Sequence, residues 1–376
     1  MTAPRAHSQT FVALLRDRNK ALRKRLSSAG IDALLVSSKR DIRYLTGFVG
    51  DDSLALVPIG GKGKKPWIVS DFRFEEQIPR EAPDAKMVIR EKTLVDAIGK
   101  IARQQGWETI GLQQEHVTLA QHKRLKKEFK ARQLHALDDG LLVQRAVKSR
   151  EEVRHILHAL DYQQQAFKEM LEFIQPGMTE SQVAAYLDYR MRALGASGTS
   201  FSTIVAAGAN ASLPHAIPSS TKLARGKVLL VDWGAKSCGY CSDMTRTLFL
   251  GEPEPKMAEV YKIVLEAQLA GIAAIKPGAE LKDVDAAARK VIEDAGYGEQ
   301  FGHSLGHGIG LDIHEQPTLA QRSKGVLQPG NVVTVEPGIY LPGVGGVRIE
   351  DDVLVTERGG RVLSSLPKSL DDMIVA

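Results

Sequence analysis

Cysteine is scarce in this chain and long apolar runs are absent. Only Cys238 and Cys241 occur in 376 residues. A disulfide framework is excluded, and so is a four-cysteine zinc site, because a single Cys-x-x-Cys has no second pair to complete a tetrahedral shell. Both are expected as reduced thiols without a redox role. Near the amino terminus the longest apolar run is Phe11 to Leu15, too short for a signal-peptide core and far short of a membrane span. The expected location is the cytoplasm, with no membrane association. No repeat or low-complexity segment interrupts the chain. Hydrophobic residues make up 43% and charged residues 25%, enough apolar material for two ordinary domains, which excludes a disordered chain.

Charge is unevenly divided. Residues 1–150 carry 29 Lys+Arg and 17 Asp+Glu, a net +12, while residues 151–376 carry 21 and 28, a net −7. The densest basic patch, Lys123 to Arg132, contains Leu125 and Phe129 at helical spacing. It therefore reads as the solvated face of a helix whose other side is packed, and no nucleic-acid motif accompanies it. Nucleic acid is not an expected partner.

What the carboxy-terminal part does contain is acids on strand-like segments. Two β-prone runs between Val228 and Leu250 flank the turn-prone Lys236–Gly239, a hairpin pattern. With the turn centred between Ser237 and Cys238, Asp232 faces Asp243, their Cβ atoms about 5 Å apart. A second pair of strands, Asn331 to Leu341 and Val347 to Val355, is joined by a Pro/Gly-rich loop centred on Gly343, so that Glu336 faces Glu350. Like charges set opposite each other destabilise a sheet, and burying them costs more. Divalent cations remove both penalties. His307 lies in the glycine-rich stretch Gly302 to Gly310, where missing side chains allow close approach of backbone or ligand, and its imidazole would complete a mostly oxygen donor set.

These segments, Val231-Asp232-Trp233-Gly234-Ala235, Ser242-Asp243-Met244-Thr245-Arg246, His303 to Gly310, Val335-Glu336-Pro337-Gly338 and Val347 to Asp351, together resemble the signature of the pita-bread metallopeptidases, specifically the Xaa-Pro peptidases (aminopeptidase P and prolidase). The resemblance extends to Asn210 to His215, where such enzymes carry an active-site histidine, and to Arg43 to Phe48 in their amino-terminal domain. It implies an α+β fold: an amino-terminal creatinase-like α/β domain, residues 1–145, and a carboxy-terminal pita-bread domain, residues 146–376, with helices covering an antiparallel sheet. It further implies a homodimer, with the amino-terminal domain near the partner's active site.

By the same resemblance Asp243 and Glu350 bridge two metal ions, Asp232 completes one site, and His307 with Glu336 completes the other. Glu336 is also the expected proton shuttle. His215, His303 and His314 are expected to hydrogen-bond the substrate carbonyl or the developing oxyanion. Arg348, two residues before Glu350, shares its face and neutralises the carboxylates. Hard oxygen donors suit Mn²⁺, with Co²⁺, Zn²⁺ or Fe²⁺ as alternatives. The expected substrate is a proline-containing peptide.

Prolidases usually place an arginine soon after the His-Glu of the glycine loop, to hold a dipeptide's free carboxylate. Here that position is Thr318, and Arg322 is the nearest arginine. The sequence therefore favours an aminopeptidase acting on longer Xaa-Pro peptides over a dipeptidase. Methionine aminopeptidases share the metal site but lack the amino-terminal domain. Creatinase-like hydrolases and non-catalytic binding modules for histones or ribosomes tend to lose the ligands that this chain retains.

Overall fold

The computed structural model describes residues 9–60, 64–129, 133–138 and 140–375. The chain divides into two compact units, Met1–Gln144 and Arg145–Ala376.

In the first unit, strands β1 (Ala33–Val36), β2 (Leu54–Pro58), β3 (Trp67–Ser70), β4 (Lys86–Ile89), β5 (Thr109–Gln113) and β6 (Gln133–Leu137) form one mixed sheet in the order β4-β3-β2-β1-β5-β6. Helices α1 (Gln9–Arg25), α2 (Lys39–Thr46), α3 (Gln77–Glu81), α4 (Leu94–Gln105) and α5 (Leu119–Glu128) alternate with the strands. Helix α4 starts at a capping box, Thr93 with Asp96, and stops at Gly106 in the left-handed region (φ 69°), as local chemistry requires. Its buried Ile98 and Ile101 pack with Leu35, Leu56, Ile110, Leu125 and Phe129. The basic patch is thus the outer face of α5, as its apolar spacing predicts; Lys130 to Arg132 lie outside the described residues.

The second unit follows α6 (Gly140–Ala146) with α7 (Arg150–Phe173), α8 (Glu180–Leu194), α9 (Pro255–Ala274) and α10 (Leu281–Asp294). Its strands are β7 (Gly198–Thr199), β8 (Ile204–Ala207), β9 (Val228–Trp233), β10 (Ala235–Ser237), β11 (Tyr240–Cys241), β12 (Met244–Leu250), β13 (Gly306–Gly308), β14 (Glu315–Leu319), β15 (Val332–Val335), β16 (Gly338–Leu341), β17 (Gly345–Arg348), β18 (Asp351–Thr356), β19 (Gly359–Val362) and β20 (Ile374–Val375). They form two main sheets, β20-β12-β9-β8 and β14-β13-β15-β18-β19, and two small ones, β11-β10-β7 and β16-β17. Most pairings are antiparallel; β12 with β20 is parallel. Helix α9 packs on β15, β17 and β19, α10 on β14, and α7 on β10 and β11. One anchor is Trp233, fully buried, stacked on Phe167 of α7 at 4.5 Å and donating its indole N–H to the Gln163 carbonyl. Among the described residues no helix is long and apolar enough to cross a membrane.

Candidate metal centre

The first hairpin differs in register from expectation. Its turn residues are Cys238 and Gly239, both with positive φ (48° and 79°), the geometry of a two-residue type I′ turn. Ser237 therefore faces Tyr240, and on the same register Asp232 faces Thr245, not Asp243. Glycine accepts the left-handed conformation more readily than serine, and that moves the turn one residue along. Asp243 stands where pairing lapses between β11 and β12, two residues from Thr245 and so on the same face.

The second hairpin has the expected register. Gly343 (φ 76°) is at its tip, Gly338 faces Arg348, and Val335 faces Asp351. Glu336 and Glu350 stand opposite each other in a gap in the ladder, so their backbone N–H groups go elsewhere. Glu336 donates to Leu305 O at 2.8 Å, and Glu350 donates to Thr245 O at 3.1 Å. The second bond joins the two hairpins and carries Glu350 to the Asp243 ribbon.

Ligating atoms of Asp243, His307 and Glu350 all lie within 4.8 Å of one another. His307 Nε2 is 3.6 Å from Asp243 Oδ2 and 3.3 Å from Glu336 Oε1. His307 Nδ1 lies 3.1 Å from the Gly308 carbonyl, which can only accept, so the proton is on Nδ1 and the Nε2 lone pair faces the acids. Burial, then the neighbouring His314, lowers the His307 pKa to about 4, so this lone pair is present at neutral pH.

The acids are in the opposite condition. Burial first, and then the surrounding carboxylates, push Asp243 and Glu350 well above the ordinary range. Burial also raises Glu336 to about 7 and raises Asp232, against the opposing effect of Arg348. Oδ1 of Asp232, Oδ1 of Asp243 and Oε1 of Glu350 are buried without a hydrogen-bond partner. Orphaned buried oxygens are costly. Such crowding of hard donors around a neutral imidazole fits divalent cations, whose charge would remove the desolvation and repulsion penalties together.

Around this cluster runs a hydrogen-bonded frame. Arg348 donates to Asp232 Oδ2 at 2.6 Å, to the Tyr340 hydroxyl at 2.8 Å and to Thr245 Oγ1 at 3.1 Å. Thr245 in turn donates to Glu350 Oε2 at 2.7 Å. His303 Nδ1 donates to the Ser304 carbonyl, leaving Nε2 to accept from Tyr340 at 2.9 Å. Thr334 Oγ1 accepts the His307 N–H and donates to Glu336 Oε1. Tyr340, Thr245, Thr334 and the buried Asp352, which accepts the Asp243 N–H, were not evident in the sequence. A lone hydroxyl on a strand carries no pattern; only the two-residue spacing of Thr245 from Asp243 and of Thr334 from Glu336 pointed to the same face.

All five acid and imidazole positions, with His215, His303, His314, Thr318 and Arg348, line one cavity of about 1160 Å³. Phe201, Pro214, Ile217 and Ile313 give it an apolar wall. His215 and His314 are exposed at this cavity, whereas His303 is half-buried. Arg322 is not in it: past the end of β14 the chain turns to the surface, and Arg322 lines a separate depression with Glu280 and Lys282.

The class that this fold and site define is a metal-dependent hydrolase of two-domain, creatinase-like architecture. Residues 154–357 match the model of metallopeptidase family M24, and residues 18–147 match the creatinase/prolidase N-terminal domain. The chain belongs to metallopeptidase family M24 and has the pita-bread fold. It is 34% identical over 364 residues to a Xaa-Pro dipeptidase of Pyrococcus furiosus, covering 95% of this chain and 100% of that protein. Among solved structures it is similar to a Xaa-Pro dipeptidase from Bacillus anthracis, with 39% identity, a TM-score of 0.91, and coverage of 95% of this chain and 99% of that one. It is also similar to an X-Pro aminopeptidase from Thermotoga maritima MSB8, with 38% identity, a TM-score of 0.87, and coverage of 94% and 99%.

Proposed function

We propose that the protein is a Xaa-Pro dipeptidase holding two divalent metal ions, Mn²⁺ foremost, between Asp232, Asp243, His307, Glu336 and Glu350. The observation that carries this reading is the buried cluster of partnerless carboxylate oxygens around the His307 lone pair. The names of the Pyrococcus and Bacillus relatives support a dipeptide substrate, in place of the longer peptides that the sequence favours.

When bound, such a metal pair supplies Lewis acidity and a water of lowered pKa. The chain's own residues do the rest. Glu336 takes the proton of the attacking water on its carboxylate and delivers it to the prolyl nitrogen, which must be protonated to leave. His215 and His314 present imidazole N–H groups to the carbonyl oxygen as its charge develops. Both His303 nitrogens are engaged, so its part is to hold the Tyr340 hydroxyl, and through it Arg348 and Asp232, in place. The apolar wall receives the pyrrolidine ring, which has no N–H to satisfy.

A second reading, an aminopeptidase for longer Xaa-Pro peptides, has one observation in its favour. Arg348, the arginine lining the cavity, directs its guanidinium at Asp232, Tyr340 and Thr245, and Arg322 lies outside. The two readings separate on hydrolysis of Gly-Pro beside Gly-Pro-Pro and Arg-Pro-Pro with added Mn²⁺. Higher kcat/KM on Gly-Pro is expected; preference for the tripeptides assigns the aminopeptidase. The resemblance also supports a homodimer, for which sedimentation should give twice the chain mass of 41.0 kDa.

A further inference from the structure

The loop that carries His215 into the cavity buries little large apolar surface. Between Ala207 and Ser219 its large aliphatic side chains, Leu213 and Ile217, are 56% and 86% exposed. Loops with little apolar burial open readily unless polar contacts hold them. Here those contacts converge on one side chain. Glu180, at the first turn of α8, is fully buried. Its Oε1 accepts the Ala207 N–H at 2.7 Å and an Asn210 amide N–H at 3.0 Å. Its Oε2 accepts the Ser219 N–H at 2.9 Å and the Ser219 hydroxyl at 2.6 Å. One carboxylate thus ties the entry of the loop to its exit. Neighbouring groups reinforce the exit: the N–H groups of Glu180 and Ser181 donate to Thr221 O and Ser219 O, and the Ser181 hydroxyl reaches Pro218 O and Ser219 O.

On its opposite side the loop rests against β17 at van der Waals distance. A Cβ on Gly346 would lie 2.2 Å from Ala211 O. Arg348 donates to Pro214 O at 3.3 Å. The backbone just before His215 is therefore set by Arg348 on one side and, through the loop ends, by Glu180 on the other.

We propose that Glu180 is a positioning residue whose carboxylate closes the 207–219 loop and so sets His215 at the cavity wall. An ionised carboxylate is acceptor-only. Replacing it with glutamine puts an NH₂ against either the Ala207 end or the Ser219 end. Asn210 can flip and the Ser219 hydroxyl can rotate, but a backbone N–H can do neither, so one end of the loop is released. Displacement of a reacting group by about 1 Å costs up to ~100-fold in rate, and His215 at the end of a loosened loop should show part of that.

The kinetic readout rests on the dipeptidase reading, and a double-mutant cycle isolates the route. Mn²⁺-loaded wild type, Glu180→Gln, His215→Ala and the double variant are compared on Gly-Pro, with hydrogen exchange at the Ala207 and Ser219 amides followed in parallel. Expected are an approximately 10-fold fall in kcat for Glu180→Gln in the wild-type background, a fall of less than about 2-fold in the His215→Ala background, and faster exchange at one or both amides. An equal fall in both backgrounds overturns the proposal, as does a lowered melting temperature with kcat and KM unchanged. Should Glu180→Gln not fold, Ser219→Ala removes the 2.6 Å contact while keeping the backbone N–H, and is judged by the same ratios. If the wild type cleaves neither Gly-Pro nor the tripeptides, the functional reading fails by itself; amide exchange unchanged in Glu180→Gln then overturns the clamp separately.

Discussion

Asp243 is the acid on which most of the site's repulsion converges. Glu350, Asp232, Asp352 and Glu336 all raise its pKa, beyond what burial does. A residue so placed is destabilising without a cation and indispensable with one. Asp243→Ala should leave the circular-dichroism spectrum intact, abolish Mn²⁺ loading as read by elemental analysis, and reduce kcat/KM by at least about 10³-fold, the several kcal/mol that metal activation supplies. Full activity in metal-depleted wild type would count decisively against the proposed mechanism. The two thiols offer a second test at this scale. Burial pushes Cys241 up to about 11, so almost none of it is thiolate at pH 8, whereas Cys238 is partly exposed at a turn. Since the thiolate is the reactive form, native protein should titrate one thiol per chain with a disulfide reagent at pH 8, and two in denaturant. Two equally fast thiols in the native state would contradict the burial of Cys241.

At the scale of elements, what the sequence made legible was local chemistry. The Pro/Gly loop fixed the Glu336–Glu350 register because an odd-length turn has one centre. The other hairpin was misplaced by a turn of Cys238 and Gly239 rather than Ser237 and Cys238, and a small shift of the turn changes every cross-strand partner. Contacts between hairpins were not legible at all: the Glu350–Thr245 backbone bond spans 105 positions and leaves no periodic trace. The glycines of the His307 stretch show how far a residue type can be read. Close approach was expected there, and a Cβ on Gly306 would lie 2.0 Å from Thr334 O and 2.9 Å from Thr334 Oγ1, the hydroxyl that receives the His307 N–H. Gly306→Ala must therefore push β13 away from β15 and carry His307 with it. We expect a loss of about 1–3 kcal/mol in urea unfolding, as for other overpacked sites, and an approximately 10- to 100-fold weaker Mn²⁺ affinity, as when the support of a ligand is removed. Unchanged values for both would mean that the strands separate here without cost.

For the whole molecule the acid cluster sets the sign of the pH dependence, and metal should abolish it. A carboxyl whose folded pKa is raised holds its proton in the folded chain after the unfolded chain has released it, so each such group lowers stability as pH climbs from the unfolded value toward the folded one. Asp243, Glu350 and Asp352 all belong to this class. The buried histidines act the other way but at lower pH. His303 and His307, held near 4 by burial, cost stability only as pH falls below the unfolded value of about 6.5, and above about pH 7 they are neutral in both states. Between pH 7 and 8 the raised carboxyls are the groups of this cluster left to set the sign. Chelator-treated protein should melt at progressively lower temperature as pH rises from 7 to 8, because the folded cluster retains protons that the unfolded chain has lost. Saturating Mn²⁺ binds the ionised form of the folded site, so the decline should vanish. At 100 times the dissociation constant the gain is about 2.7 kcal/mol per site, which for a unit of this size moves the transition by roughly 5–10 °C, and more at pH 8 than at pH 7 because protons compete less. Calorimetric scans with chelator and with Mn²⁺ at both pH values measure all four quantities. A chelated protein whose melting temperature is flat from pH 7 to 8 and does not respond to Mn²⁺ would show that the buried acids are already ionised there and bind no metal, and the dinuclear centre would have to be abandoned.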